Sequence, residues 1–456
     1  MRRLLLLICV VAGASGLMAA EPASFEAGFA KVDVTPTAPL RLSGYQNRAT
    51  PAEGAQTPLH TRAMALRADG GEMFVLVSLD TIGTDETFTN DVAARLKEKF
   101  GVARKRFALA CSHSHTTPHL TGGITNLYTT PLTDQERKNM DAYTERLKDE
   151  IVTAVGEAIK DLAPAKVSLG QGKVGFAMNR RIVKDGNYQG MAPNRGGAID
   201  RAVDLLKITD LEGKTRGVVF NYACHATTFG GDANQVNGDW PGYAARDIEE
   251  AHPGVTALCT IGCGADANPE PRAGERQQAH AQAHGRAMAL EVGRLIEQEL
   301  KPLTQPPSAA FGHAKLPIDL PTTDDLKADL KSSNVQVARR AEGLLDTLEA
   351  EGELASSYPM PIQAWRFGDQ LTMVFLGGEV VVDYALRLKK ELPGEHVWVT
   401  AYANDVFGYL ASERVRAEGG YEVDYSMVFY NQPGRWSSGT EEIVIGRVKE
   451  IVEAAE

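Results

Sequence analysis

Apolar runs of strand length alternate with helical stretches along most of the chain, and that alternation constrains the fold more than any other feature. Residues 73–79 and 107–111 read as strands, with a helical stretch at 91–100 between them and a long one at 135–161 after them. Further strand-length runs stand at 166–169, 203–208, 217–223, 255–261, 362–367, 373–376 and 397–401. Helical stretches at 242–251, 275–300, 324–351, 380–391 and 441–455 separate or follow them. The pattern predicts an α/β fold, a mixed β-sheet core covered by helices. The chain has 456 residues, 43% of them hydrophobic, which is enough to bury a large core and excludes intrinsic disorder for most of it. One seam interrupts the pattern, the Pro-rich segment 301–307 with the strand-like stretch that follows to about 323. Chemically suggestive residues lie on both sides of it, so it reads as a surface connection inside one large domain.

The first twenty residues follow a different logic. Arg2 and Arg3 precede the apolar run 4–11, and residues 12–20 are rich in small side chains before Glu21 and Pro22. That is the layout of a secretory signal peptide cleaved near Ala20, predicting a secreted or periplasmic protein spanning 21–456. Cys9 lacks the small residue that precedes a lipid-modified cysteine, and no later stretch approaches ~20 uninterrupted apolar residues, so no stable membrane anchor is expected. The formal charge of −11 argues against a nucleic-acid partner and against an electrostatic hold on anionic membranes. Four cysteines remain beyond the leader, Cys111, Cys224, Cys259 and Cys263. They can form disulfides in an oxidising compartment, or serve as buried small hydrophobes in the apolar runs that carry them. A zinc ribbon is excluded, because no Cys-x-x-Cys pair exists.

The chemistry-bearing residues cluster where strands end. Cys111-Ser112-His113-Ser114-His115-Thr116-Thr117-Pro118-His119 follows the strand at 107–111 directly. His-x-His on an extended segment sends both rings to one side, so one metal can meet both, or one ring can bind while the other assists. His225 stands at the exit of a second apolar strand, with Asp239 downstream as a supporting carboxylate or the cap of the next helix. Glu379 follows a third strand through Gly377-Gly378, placed to ligate a metal or to cap a helix. Tyr409 and Tyr421, twelve residues apart, read by composition as ordinary loop aromatics. His280 and His284 have i, i+4 spacing but lack the glutamate of a zinc-protease helix, and read as solvated helix surface. There is no Gly-x-Ser-x-Gly elbow and no phosphate-binding loop; the glycine-rich segment 262–269 reads as a pocket-lining loop.

Taken in order, these segments resemble the catalytic domain of the neutral/alkaline non-lysosomal ceramidases. Gly28 to Pro36 is similar to the family's opening strand, and the match continues through Gly44-Tyr45 and Leu59-His60-Thr61-Arg62. His113-Ser114-His115 is similar to its Thr-His-Thr-His-Ser turn, Cys224-His225-Ala226-Thr227 to its second histidine segment, and 404–422 to its tyrosine-bearing segment. The resemblance implies Zn2+ held by His113, His225, Glu379 and Tyr409, with His115, Arg180 and Tyr421 around the scissile amide. It implies hydrolysis of the N-acyl amide of ceramide or a related lipid by zinc-activated water. That chemistry is compatible with the residue types, since two imidazoles and a carboxylate make a catalytic zinc site and a phenolate fourth ligand still leaves room for water.

Two departures stand out. Where the family has Gly-Asp-x-Ser-Pro-Asn, this chain has Ala265-Asp266-Ala267-Asn268-Pro269-Glu270, so a mechanism that needs the serine hydroxyl is excluded, while Asn268 can donate a hydrogen bond in its place. The chain also ends soon after the tyrosine segment and one further helix, so the family's C-terminal immunoglobulin-like domain is not expected. Two rival readings stay open at this stage: a zinc hydrolase of another amide or ester in a sugar or cell-wall component, and a binding protein that keeps zinc without turnover. A narrow apolar slot would favour the lipid amide, and polar and aromatic walls a sugar.

Overall fold

The computed structural model describes residues 23–455, so the predicted leader and Cys9 lie outside the described residues. The strands β1 (Phe25–Asp33), β2 (His60–Ala68) and β3 (Phe74–Leu79) form an antiparallel meander. Helix α1 (Glu86–Phe100) crosses to β4 (Phe107–Cys111), parallel to β3, and α2 (Asp134–Lys160) leads to β5 (Ala163–Lys173), antiparallel to β1. A hairpin of β6 (Ala177–Lys184) and β7 (Asn187–Asn194) leaves this sheet before β8 (Ala202–Thr209), β9 (Thr215–Tyr222), α3 (Asp239–Ala251) and β10 (Thr256–Ile261) extend it. The strand order is β10-β9-β8-β5-β1-β2-β3-β4. Next, β11 (Ala267–Pro269) joins the hairpin, α4 (Gln277–Ile296) packs on α3, and β12 (Lys301–Pro302) pairs with β5.

The C-terminal half adds a second sheet. Strand β13 (Pro307–Pro317), helices α5 (Thr323–Asp329) and α6 (Val335–Glu351), strands β14 (Ser357–Phe367) and β15 (Leu371–Leu376), the short β16 (Glu379–Val380), helix α7 (Val382–Glu391) and β17 (Val397–Thr400) follow in order. Of these, β13-β14-β15-β17 form the sheet. The chain closes with β18 (Tyr409–Leu410), parallel to β16, then α8 (Glu413–Glu418), a π-helical turn at Tyr421–Tyr425, α9 (Ser426–Phe429) and α10 (Thr440–Glu453).

Side-chain alternation explains why the strand runs are continuously apolar. In β3, Phe74 and Leu76 face a core shared with Trp365, Phe367, Phe375 and Trp398 of the second sheet, whereas Val75, Val77 and Leu79 face α1 and α2. Both faces are buried, so no polar alternation survives in the sequence. The predicted α/β class and mixed sheet hold. The addition is that the large sheet is covered on one face by helices and, over part of the other, by a second sheet.

The large sheet also curls until its edges approach. Ser78 Oγ of β3 donates to the Cys259 carbonyl of β10 (2.6 Å), and beyond the strands Ser114 pairs with Ala226. The exits of β4 and β9, far apart in strand order, thereby meet in space.

Several expectations need correction. The helix expected over 324–351 is two helices, broken at 330–334, where the Asn334 side chain accepts from Gln336 N and Val337 N and starts α6 afresh. The hairpin β6–β7 carries exposed polar positions and is not legible as apolar runs, whereas the strand-like stretch after the seam is β13. At the seam, β12 pairs with β5 and Leu303 sits in the core between the sheets. The four cysteines of the described residues are free and buried, so the small-hydrophobe reading holds over the disulfide one. Helix α4 is not solvated at both histidines, since the His284 ring is buried against Phe176 and its Nε2 meets the Pro271 carbonyl at 2.8 Å.

Candidate metal centre

Four chain segments converge on one point, and local backbone geometry explains each. Beyond β4 the segment is not extended as expected: His113 adopts φ 54°, a left-handed conformation that costs a non-glycine residue about 1–3 kcal/mol. The bend turns its ring inward, over Tyr402 (centroids 4.3 Å apart), while Ser114 pairs with Ala226 beyond β9 and His115 N donates to the Ala226 carbonyl. The two histidine segments thus run side by side. Gly378, at φ 80°, lets the chain leave β15 sharply, and the β16–β18 pairing sets Glu379 directly beside Tyr409. Glu379 does not cap α7, whose N-cap is Val381. On the fourth side, Arg180 N of β6 donates to the Asp266 carbonyl and brings the guanidinium to the same centre.

The donor atoms face one another. His113 Nε2 lies 3.2 Å from His115 Nε2 and 3.1 Å from Glu379 Oε2, and His225 Nε2 lies 3.0 Å from Glu379 Oε2 and 3.2 Å from the Tyr409 hydroxyl. Each ring is oriented by a backbone carbonyl at Nδ1: Ile82 O for His113 (2.6 Å), Gly264 O for His225 (2.8 Å) and Gly44 O for His115 (3.2 Å). A carbonyl only accepts, so each Nδ1 carries a proton and each ring turns its Nε2 inward. Burial and the Arg180 charge push His225 down to about 4, and burial with the neighbouring His113 and His225 takes His115 well below its ordinary value.

Lone pairs and a carboxylate pointed at one another in a dry site repel unless a cation sits among them. The buried Glu379 Oε2 has no hydrogen-bond partner among the described residues, while Oε1 accepts from Tyr430. The ligand atoms of His113, His115 and His225 lie within 4.8 Å of one another, a spacing that can hold a metal ion. The residues therefore fit a metal, and nitrogen-rich donors with one carboxylate suit zinc.

Arg180 is wholly enclosed. Its Nε donates to Glu422 (2.9 Å), Nη1 faces Asn268 Oδ1 (3.3 Å) and His225 Nε2 (3.5 Å), and Nη2 donates to Tyr409 (3.2 Å). Burial disfavours its charge, but Tyr409 and Glu422 more than compensate, and its pKa stays well above the ordinary value. Asn268 is an acceptor here rather than the expected donor, taking hydrogen bonds from Arg180 and from Thr227 Oγ1 (3.2 Å) on its Oδ1. The Tyr421 ring lies edge-on to Tyr409, with centroids 5.4 Å apart.

A cavity of about 180 Å³ opens onto His115, Glu379, Tyr409 and Tyr421. It is also lined by Ile82, Ile124, Leu127 and Phe429, with Tyr45, Gln46 and Tyr430 among them. A larger hollow of about 540 Å³, near Gln305 and Gln370, contains none of the predicted site residues.

All eight predicted site residues, His113, His115, Arg180, His225, Asn268, Glu379, Tyr409 and Tyr421, meet here. His119 does not: its Nδ1 meets Ser43 Oγ (3.0 Å) and its ring packs on Tyr128. Asp239 opens α3 behind the site, its carboxylate accepting from Phe229 N and Trp240 N. Sequence reading missed Tyr402, Glu422, Tyr430 and the apolar lining residues. Glu422 adjoins Tyr421, and that adjacency is the one local signal.

Gly44 supplies a test of how His115 is held. Its φ is 91°, and a Cβ there would fall 2.5 Å from the His115 ring. Gly44→Ala is expected to displace that ring and lower stability by about 1–3 kcal/mol, read as a lower urea midpoint. An unchanged midpoint would mean that the ring is not held against this backbone.

Comparison with known proteins bears on the family and the fold. Residues 25–276 match the family described as neutral/alkaline non-lysosomal ceramidase, N-terminal. A neutral ceramidase of Oryza sativa subsp. japonica is 27% identical over 260 residues, covering 54% of this chain and 31% of the relative. One of Mycobacterium tuberculosis is 27% identical over 227 residues, covering 48% of this chain and 34% of the relative. The matched region thus spans about a third of these curated relatives. The crystal structure of neutral ceramidase from Pseudomonas aeruginosa superposes with a TM-score of 0.72 at 18% identity, covering 96% of this chain and 75% of that one, which establishes the shared fold.

Proposed function

The chain belongs to the neutral/alkaline non-lysosomal ceramidase family, and from that premise we propose that it is an exported, zinc-dependent amidohydrolase cleaving the N-acyl amide of ceramide or a related lipid. The observation that carries this reading is the convergence of inward-facing imidazole Nε2 atoms and a Glu379 Oε2 without a hydrogen-bond partner among the described residues, beside a cavity. His113, His225, Glu379 and Tyr409 are the assigned ligands, with His115 adjoining. Zinc bound there would polarise the amide carbonyl and lower the pKa of a water.

The protein's own groups do the rest. Arg180 turns its two Nη atoms toward the centre, where they can donate to oxygen charge developing on the scissile carbonyl. Tyr421 lines the cavity and is the group assigned to give a leaving nitrogen its proton, while His115, its Nδ1–H held by the Gly44 carbonyl, lines the cavity beside it. The lining carries both marks, Ile82, Ile124, Leu127 and Phe429 suiting a hydrocarbon chain and Tyr45, Gln46 and Tyr430 a polar ring, so the preference for a lipid amide rests on the family and not on the cavity. The cavity is smaller than the ~300 Å³ at which drug-sized pockets begin, so it takes the reacting amide and the first carbons, with the rest of each chain outside.

The test is mass-spectrometric detection of free fatty acid and sphingoid base from a ceramide panel, using purified zinc-loaded protein beside His225→Ala. Release by the wild type alone is the expected result. No release would remove ceramide as substrate, and a wider amide and ester screen would then separate another hydrolase from a binding protein.

A further inference from the structure

Arg180 and Arg181 are neighbours on β6, where successive side chains ordinarily point to opposite faces. Both nevertheless reach one carboxylate. The β6–β7 register shifts between Asn179 and Arg181, and this irregularity turns the two guanidiniums the same way. Arg180 Nε donates to Glu422 Oε1 at 2.9 Å, and Arg181 Nη1 to Glu422 Oε2. The Glu422 side chain is fully enclosed. Arg181 is anchored further by Glu418 (3.0 Å) and the Gly419 carbonyl (2.9 Å).

We propose, resting on the functional reading above, that Glu422 is a positioning residue, a tether that holds Arg180 by its Nε edge so that its Nη edge faces substrate and stays off the metal-binding carboxylate. A guanidinium is a planar fork, and fixing one edge fixes the direction of the other. Glu379 Oε2 is the nearby anion with no hydrogen-bond partner among the described residues, and the Arg180 fork already stands 3.5 Å from His225 Nε2. Released from Glu422, Arg180 turns toward Glu379 and competes with the metal for it. Glu422 acts through Arg180 and touches neither metal nor substrate. Because it adjoins Tyr421 on the π-helical turn, the tether also fixes the distance between Arg180 and that phenol.

The experiment is a double-mutant cycle of Arg180→Ala, Glu422→Gln and both together, read in zinc affinity by chelator competition and in kcat and KM for N-acyl amide hydrolysis. Glu422→Gln is expected to weaken zinc binding by about 10- to 100-fold and to lower kcat on the same scale, with a smaller change in KM. In the Arg180→Ala background the same substitution should change both by less than about twofold. Equal losses with and without Arg180 would overturn the tether and leave Glu422 a purely structural residue. If the glutamine variant fails to fold, Glu422→Asp replaces it in the cycle. Aspartate keeps the charge but draws the fork away, so kcat is expected to fall with Arg180 present and to stay at the Arg180→Ala level without it. Should the wild type hydrolyse no N-acyl amide, the functional reading fails, and the zinc-affinity arm still decides the tether.

Discussion

His225→Ala is expected to lose stoichiometric zinc and amide hydrolysis together, and His113→Ala to behave the same way. Each ring is fixed at Nδ1 by a backbone carbonyl and offers only Nε2 to the centre. If a four-ligand zinc site is worth about 10–16 kcal/mol, one ligand carries about 3 kcal/mol, or a loss of ~100-fold in affinity. Truncation also leaves the Gly264 or Ile82 carbonyl without its donor, which costs about 1–3 kcal/mol of stability on its own. Metal content after gel filtration, read beside the circular dichroism spectrum, separates loss of ligand from loss of fold. Stoichiometric zinc in either folded variant would sink the ligand assignment.

Glu379 is a more demanding case of the same argument. Its Oε1 is committed to Tyr430, so the lone Oε2 is what the centre offers a cation, and no side chain among the described residues donates to it otherwise. A buried carboxylate oxygen left unpaired is costly unless a charge completes it.

Much of this was legible in the sequence, for physical reasons that also mark where legibility ends. Strands such as β3, β4, β9 and β15 are buried on both faces, so their apolar runs are continuous and their exits carry the histidines and Glu379 where a reader looks for ligands. Strands β6 and β7 pack on little besides each other and β11, leaving polar and exposed positions that hide them, yet they deliver Arg180. The inward turn of His113 depends on a left-handed backbone and on Tyr402, nearly three hundred residues later, which no local pattern announces. The same holds for the curl that brings β3 against β10. Strand order is set by long-range pairing, and sequence periodicity reports only which faces are buried. Asn268 was visible as a departure from the family pattern, but its role as an acceptor was not, because that depends on the Arg180 and Thr227 donors around it.

Arg180→Ala is expected to lower turnover by about 100- to 1,000-fold while zinc stays bound, the loss seen when one preorganised donor to a developing oxyanion is removed. The variant should fold, because Glu422 keeps its hydrogen bond from Arg181 and Asn268 Oδ1 keeps its donor in Thr227. Zinc affinity should hold or rise, since removing a cation 3.5 Å from His225 Nε2 removes repulsion at the metal. Arg180→Lys separates charge from shape. An ammonium on a shorter reach cannot serve Glu422 and the centre at once, so it should recover only part of the rate. An unchanged rate in the alanine variant would take Arg180 out of the reaction and leave the cavity-lining Tyr421 as the remaining donor. Loss of turnover with metal retained would instead separate the two tasks we propose for this centre, holding a cation with His113, His225 and Glu379 and receiving the developing negative charge with a guanidinium.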